Sequence, residues 1–295
     1  MSPLRRLSAC LLALAMLTGC GTNPENHPTS KTANPPARQT AAQELKQLVV
    51  EFNNVADEPA IRLTPSLGLK PVAGFTQTDV DALAKRAVDI LTRSGQPRLT
   101  RMAPDTAIDY IYAHQYPATT YDFKSNAASL ASGYDWQWIA ASRYNKTPTT
   151  PPKIIKVNAA VTTGKGHLDD GTPARYLQVT VQIHALQQIP SDHGTAPIVV
   201  RRTVQASGYR PRGGPNWWPT VVTRTGGLFG NSGCALFKGA RLVPLTDPDV
   251  MRTDLADLKI SIANKDLIPE NFGNFADPKA TRKYIQQTCA NEKQH

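Results

Sequence analysis

The sequence feature that most restricts the fold is a strict alternation of apolar and polar side chains between Leu177 and Ala185. The odd positions are apolar and the even positions polar, so that Leu177, Val179, Val181, Ile183 and Ala185 alternate with Gln178, Thr180, Gln182 and His184. Because successive side chains of a β-strand point to opposite faces, the pattern predicts a strand with one buried and one solvated face. One-sided strands are typical of antiparallel sheets, so we expect such a sheet with His184 on its wet side.

Other segments share this period of two, and together they predict a mostly antiparallel sheet of about five to six strands. The first of them would carry an aromatic inner face that includes Trp136 and Trp138. The predicted strands are residues 134–144, 153–163, 174–187, 197–208, 219–224 and 234–243.

Helical periodicity precedes and follows these strands. Thr78 and Asp81 have the spacing of a helix cap, and Asp247-Pro248 and Asp277-Pro278 each place a capping residue before a first-turn proline. The predicted helices are residues 41–56, a second one that ends before Gly95, a short one at 105–115, then 248–260 and 278–290. The fold class is therefore α+β, with helices at both ends of the sheet, in a single domain spanning residues 41–295.

The N-terminus has the organisation of an export signal. Arg5 and Arg6 precede an apolar run of ten residues, Leu7 to Met16, whereas a membrane-spanning helix needs roughly 20. The run ends in Leu17-Thr18-Gly19-Cys20, which resembles the lipobox of bacterial lipoproteins. The resemblance implies that residues 1–19 are removed and that Cys20 carries the lipid that anchors the protein.

The residue after the cysteine bears on the destination. Inner-membrane lipoproteins of this class often have Asp there, whereas this chain has Gly21, so the resemblance implies an outer-membrane protein that faces the periplasm. Residues 20–40 contain four prolines and no apolar periodicity. We expect them to form a flexible lipidated tether.

Charge points to the kind of partner. Loss of Arg5 and Arg6 lowers the formal net charge from +10 to +8, which favours an anionic envelope polymer, protein or membrane surface. The dense Lys/Arg clusters typical of nucleic-acid binding are missing, so no nucleic acid is expected.

The predicted export signal determines the expected chemical state of the four cysteines. Cys10 leaves with the signal and Cys20 is acylated, so Cys234 and Cys289 remain in an oxidising compartment. A disulfide between them is the simplest interpretation. Two buried free thiols, or one reactive thiol, are the alternatives.

Motifs that suggest catalysis or metal binding are incomplete. Ser232 lies between glycines but has no histidine in a suitable context, and a serine hydroxyl needs a neighbouring base to act as a nucleophile. Thr163-Gly164-Lys165-Gly166 lacks most of a phosphate-binding loop and is interpreted as a hairpin loop. We therefore predict no catalytic residue, no metal ligand and no cofactor.

The segment Tyr209 to Pro219 is the candidate binding site. It carries Arg210, Arg212, Trp217 and Trp218 between prolines, and Trp and Arg are enriched where binding energy concentrates. We expect a loop that contacts a partner, with folding of both tryptophans onto the core as the alternative.

These observations favour a non-enzymatic envelope lipoprotein that binds a partner protein or an envelope polymer in an assembly, scaffold or inhibitor role. An envelope hydrolase acting on glycan or peptidoglycan would need paired acid and base groups in a cleft. A carrier of small ligands would need a large apolar cavity.

Overall fold

The structure is a computed structural model that describes residues 40–57, 59–94, 144–148, 150–168, 170–192, 194–211, 218–239, 242–269 and 278–292. All of them belong to one compact unit, Gln39–His295. The predicted signal, lipobox and tether, the helix at 105–115 and most of the aromatic strand at 134–144 lie outside the described residues. No described helix is long and apolar enough to cross a membrane.

The described part of the chain contains a four-stranded antiparallel sheet in which strand order follows chain order. The strands are β1 (Lys153–His167), β2 (Pro173–Ser191), β3 (Gly194–Pro211) and β4 (Trp218–Phe229). The strictly alternating segment, residues 177–185, forms the middle of β2. The observed strands extend beyond the predicted ones, and Thr163 to Gly166, expected in a loop, lie inside β1.

Two described helices precede the sheet, α1 (Ala41–Val55) and α2 (Gln77–Ser94). Thr40 begins α1 with a capping box in which Thr40 and Gln43 exchange side-chain to backbone hydrogen bonds. In α2 the prediction misplaced the cap by two residues, because the Thr76 hydroxyl accepts from the Asp79 backbone N–H and Asp79 accepts from the Thr76 N–H.

After the sheet, the described residues form three helices: α3 (Gly233–Gly239), α4 (Pro248–Ala263) and α5 (Pro278–Asn291). The strand predicted at 234–243 is wrong, since its first half is α3. The Ser232 hydroxyl accepts from the Ala235 N–H at the start of this helix, and Glu292 accepts from the Cys234 N–H. These two caps, one from a neighbouring residue and one from a residue 58 positions away in sequence, outweigh the short apolar alternation.

The predicted disulfide is present between Cys234 and Cys289, with Cα atoms 4.7 Å apart, inside the usual range for such bridges. It joins α3 to α5. For a sequence separation of 55 residues, the chain-entropy argument gives a stabilisation of about 4 kcal/mol.

One face of the sheet packs against α2 and forms the larger apolar core. Odd-numbered residues of β2 supply the sheet side of this core, and one stripe of α2 supplies the other, as the two periodicities predicted. Its members include Val80, Leu83, Ala87, Leu91, Leu177, Val179, Val181 and Ile183.

The opposite face is not solvated as predicted. At one end, α1 and α4 cover it with a second apolar cluster that contains Phe52, Leu186, Val199, Met251 and Leu258. The polar side chains nearer the middle, Gln182 and His184, are 1% and 0% exposed. The alternation therefore separates two buried layers of different polarity, and the expectation that His184 is a surface residue is wrong.

Candidate functional site

A row of cationic side chains crosses the sheet near the β1–β2 turn. Lys165 of β1 pairs with Arg175 of β2, and Arg175 pairs with Arg210 of β3. Directly opposed residues of antiparallel strands face the same side of the sheet, so the three side chains lie side by side. We call these three residues the cationic row.

Phe75, just before α2, lies against the cationic row. The guanidinium carbons of Arg175 and Arg210 lie 5.8 Å and 5.4 Å from the centroid of its ring, within the range of cation–π attraction. Arg175 also donates to the Ala73 carbonyl at 2.7 Å. These contacts hold the two guanidinium groups in place beside a buried aromatic ring.

Asp79 of α2 neutralises one member of the row. Its carboxylate accepts from Arg210 at 3.1 Å and 3.2 Å. Burial alone would raise the pKa of the Asp79 carboxyl. Hydrogen bonds from the Thr76 backbone and hydroxyl, together with the positive charge of Arg210, outweigh burial and hold this pKa below its ordinary value. Lys165 and Arg175 are exposed, and no described carboxylate pairs with either of them.

The structure describes two of the four predicted partner-binding residues, Arg210 and Trp218. Arg210 lies within β3 and not in a loop, and it pairs with α2. Trp218 is the first residue of β4 and is opposite Tyr209 in the sheet. Arg212 and Trp217 fall in the connection between β3 and β4, outside the described residues. Their role in binding stays a prediction.

Two tyrosines occupy the opposite face at the same end of the sheet. The rings of Tyr176 and Tyr209 have centroids 6.1 Å apart. A β-carbon added at Gly164 would lie 2.7 Å from the Tyr176 ring, whereas one at Gly166 would meet both rings at 3.7 Å. The glycine at 164 therefore leaves the space that the Tyr176 ring fills.

Carboxylates gather around the segment that leads into α3. Asp254 accepts from the Gly230 N–H at 2.8 Å, and Glu292 accepts from the Ser232 hydroxyl at 2.5 Å. Burial, with the neighbouring charges of Asp257 and Glu292, raises the pKa of Asp254 to about 6 despite hydrogen bonds from the backbone. Both carboxylates thus hold backbone or a helix cap, and the group that accepts from the Ser232 hydroxyl is the Glu292 carboxylate and not a histidine.

A buried polar cluster beneath the end of α4 was missed by sequence reasoning. His184 Nε2 lies 2.7 Å from the Ser261 hydroxyl, and Lys156 donates to the carbonyls of Ser261, Ile262 and Asn264. Burial, with the charges of Arg201 and Lys156, lowers the pKa of His184 to about 3. Lys156 thus caps the C-terminal end of α4, where the helix dipole favours a cation.

A groove of about 420 Å³ runs beside α1. Its walls come from α1, the β2–β3 turn and the segment before α4. The lining is mostly apolar and includes Leu45, Val49, Ala196, Pro244 and Leu245.

Metal binding finds no support in the part of the chain that the structure describes, where no group of three or more His, Cys, Asp or Glu side chains could hold an ion. No family model, no curated protein and no solved structure matches this chain.

Proposed function

We propose that the chain is a lipid-anchored periplasmic protein of the bacterial outer membrane, whose folded domain binds an anionic partner protein or envelope polymer without catalysing a reaction. The Leu-Thr-Gly-Cys site at Cys20 supports the anchor. The disulfide between Cys234 and Cys289 agrees with folding in an oxidising compartment.

The cationic row is the observation that carries the binding function. Lys165 and Arg175 are exposed and lie side by side, and Arg175 is held by Phe75 and Ala73. A positioned guanidinium loses less conformational freedom on binding than a mobile one, and it can donate two parallel hydrogen bonds to a carboxylate or phosphate. The predicted contact residues Arg212, Trp217 and Trp218 follow directly after the β3 end of this row.

Mass spectrometry of the protein purified from membranes tests the anchor. We expect Cys20 to be the mature N-terminus and to carry acyl chains, and we expect Cys20→Ser to release the domain or to leave its precursor uncleaved. An unmodified Cys20 thiol in the membrane fraction would contradict the proposal.

Charge reversal tests the binding surface, with purified cell-wall sacculi and soluble polyglutamate as anionic probes. We expect Arg175→Glu to weaken binding, and we expect binding of the wild type to weaken with added salt. Lys85→Glu, at an exposed lysine of α2 that pairs with Asp89, is the matched control and should bind like wild type. Equal binding by both variants and wild type would reject the cationic row as the site.

The tryptophans are tested by separate truncations. If Trp217 or Trp218 is a contact residue, its replacement by Ala should cost about 2 kcal/mol or more in binding while leaving the fold intact. A tryptophan in the core would instead cost roughly 3 to 5 kcal/mol in stability. Loss of folding in both variants, or unchanged binding in both, would remove the tryptophans from the proposed site.

A carrier of small apolar ligands is the second candidate, because the groove beside α1 has a suitable volume and lining. The test is Val49→Trp, which would fill the groove. An uncharged fluorescent probe such as N-phenyl-1-naphthylamine should bind the wild type and should not bind the variant if this function holds.

A further inference from the structure

Most of the outer edge of β1 has backbone N–H and C=O groups that form no hydrogen bond with another described segment. β2 is its only strand neighbour in the described chain. Near its start, the Ile154 carbonyl accepts a hydrogen bond from the Ile61 N–H at 2.8 Å. From Val157 to His167, no backbone hydrogen bond connects β1 to a described segment other than β2. At ~3.3 Å per residue, this open edge is roughly 35 Å long.

The edge has few of the features that usually block edge pairing. Proteins protect such edges with prolines, bulges, short strands or charges. Residues 157–167 contain no proline, and the only register shift between β1 and β2 lies earlier, between Ile154 and Lys156. The one charged side chain that remains along this stretch, apart from the titratable His167, is Lys165.

We propose that this edge is a docking site for an extended, acidic segment of a partner protein, which joins the sheet as an additional antiparallel strand beside β1. The inference rests on the proposed binding function and specifies how the partner is held. Main-chain hydrogen bonds supply the affinity in this mode of recognition, and alternate side chains supply the specificity.

The side chains of β1 define the partner. Val157, Ala159 and Val161 are partly buried and pack against the core beneath α2, so an added strand should present small apolar residues on that face. Lys165 continues along the same face and belongs to the cationic row. Opposite it, a carboxylate of the partner would complete the row with a charge pair.

Charge also decides between a foreign strand and a second copy. The fifteen residues of β1 contain three lysines and no carboxylate. Lys153 and Lys156 already bond to Ala56 and to the end of α4, so Lys165 is the lysine on the open edge. A second copy of residues 157–167 contains no carboxylate to pair with Lys165, whereas an acidic segment supplies one.

Amide hydrogen exchange and fluorescence anisotropy test the proposal on the full-length mature protein. The probe is a labelled nine-residue peptide with glutamate at position 1, valine at positions 3, 5, 7 and 9 and threonine between them, so that the glutamate faces Lys165 when the valines face the apolar side chains of β1. The control peptide has lysine in place of the glutamate. We expect the acidic peptide to protect backbone amides within residues 157–167, and we expect Lys165→Glu to weaken its binding about fivefold. Lys85→Glu should leave binding unchanged.

A matched pair of proline variants isolates the backbone contribution. Successive N–H groups of an edge strand alternate between the neighbouring strand and the outside, so one of Ala159→Pro and Ala160→Pro loses a bond to β2 and the other loses only an outward N–H. The variant that keeps the melting temperature of the wild type should bind the acidic peptide about fivefold more weakly or worse.

Four results would overturn the proposal. The first is an absence of new protection on β1, and the second is unchanged binding by the fold-neutral proline variant. The third is protection, already in the free protein, of the β1 amides that face away from β2, which would mean that another segment of this chain occupies the edge. The fourth is a dimer that the fold-neutral variant dissociates in ultracentrifugation, which would identify a second copy as the occupant. The proline pair separates this proposal from the proposed function, because it leaves the charges of the cationic row unchanged, whereas Arg175→Glu changes one of those charges and no backbone N–H of β1.

Discussion

Replacement of the buried histidine His184 by Gln should change how stability depends on pH. In the folded protein His184 is fully buried, bonded to Ser261 and close to the cations Arg201 and Lys156, so its pKa falls to about 3. In the unfolded chain its pKa returns to about 6.5. His184→Gln retains a donor that can reach the Ser261 hydroxyl and removes the titration.

The sign and size follow from proton linkage. Because the folded pKa of His184 is depressed, only the unfolded chain takes up this proton as the pH falls below about 6.5. The stability associated with His184 is present above that pH and is lost as the pH falls toward 3. Between pH 7 and pH 4.5, the difference in unfolding free energy between wild type and variant should change by about 2 to 3 kcal/mol at 1.36 kcal/mol per unit.

A second variant, Asp254→Asn, isolates a pH dependence of stability that has the opposite sign. The pKa of Asp254 is raised to about 6, so its contribution to stability is present at low pH and is lost as the pH rises from about 4 to 6. Asp254→Asn keeps an oxygen that can accept from the Gly230 N–H. In this variant stability should fall more steeply on acidification than in wild type, whereas in the His184 variant it should fall less.

Urea denaturation at several pH values between 4.5 and 7 measures both profiles. Other titrating groups cancel when each variant is subtracted from wild type at the same pH. A difference between wild type and His184→Gln that stays constant over this range would refute the assignment of a neutral, desolvated histidine at this position.

Two further predictions concern packing and the crosslink. Gly164→Ala should lower the unfolding free energy by about 1 to 3 kcal/mol, because the new methyl group overlaps the Tyr176 ring. Gly166→Ala, in contrast, should be nearly neutral. Thermal melts of both variants measure the difference in stability. Reduction of the Cys234–Cys289 disulfide should cost about 4 kcal/mol, and an unchanged urea midpoint in the presence of reductant would show that the bridge does not stabilise the native state.

The sequence predicted the elements whose signals are local. The strand at Leu177 to Ala185 and the helix that begins at Asp247-Pro248 were correct because side-chain period and capping chemistry act within a few residues. The helix at 233–239 was missed because its cap depends on Glu292, which is 58 residues from Cys234 in sequence. A short apolar alternation could not reveal that partner.

The candidate site was less predictable than the fold. Arg210 was selected from its neighbourhood of prolines and tryptophans, but Lys165 and Arg175 join it only through strand register. His184 was assigned to a solvated face, because the alternation of β2 shows which residues share a face but not whether a helix covers that face. The helix that does so, α4, begins more than sixty residues later in the chain.

The position of α1 has a consequence for the order of folding. Each strand pairing is made by neighbours in sequence, so the sheet can assemble hairpin by hairpin at low loop-closure cost. In contrast, Arg252 of α4 bonds to Glu44 of α1 across 208 residues. The apolar stripe of Leu45, Leu48 and Phe52 is covered partly by the sheet and partly by α4, so its burial is complete only after most of the chain has been made. Until then, part of this apolar surface stays exposed on the nascent protein.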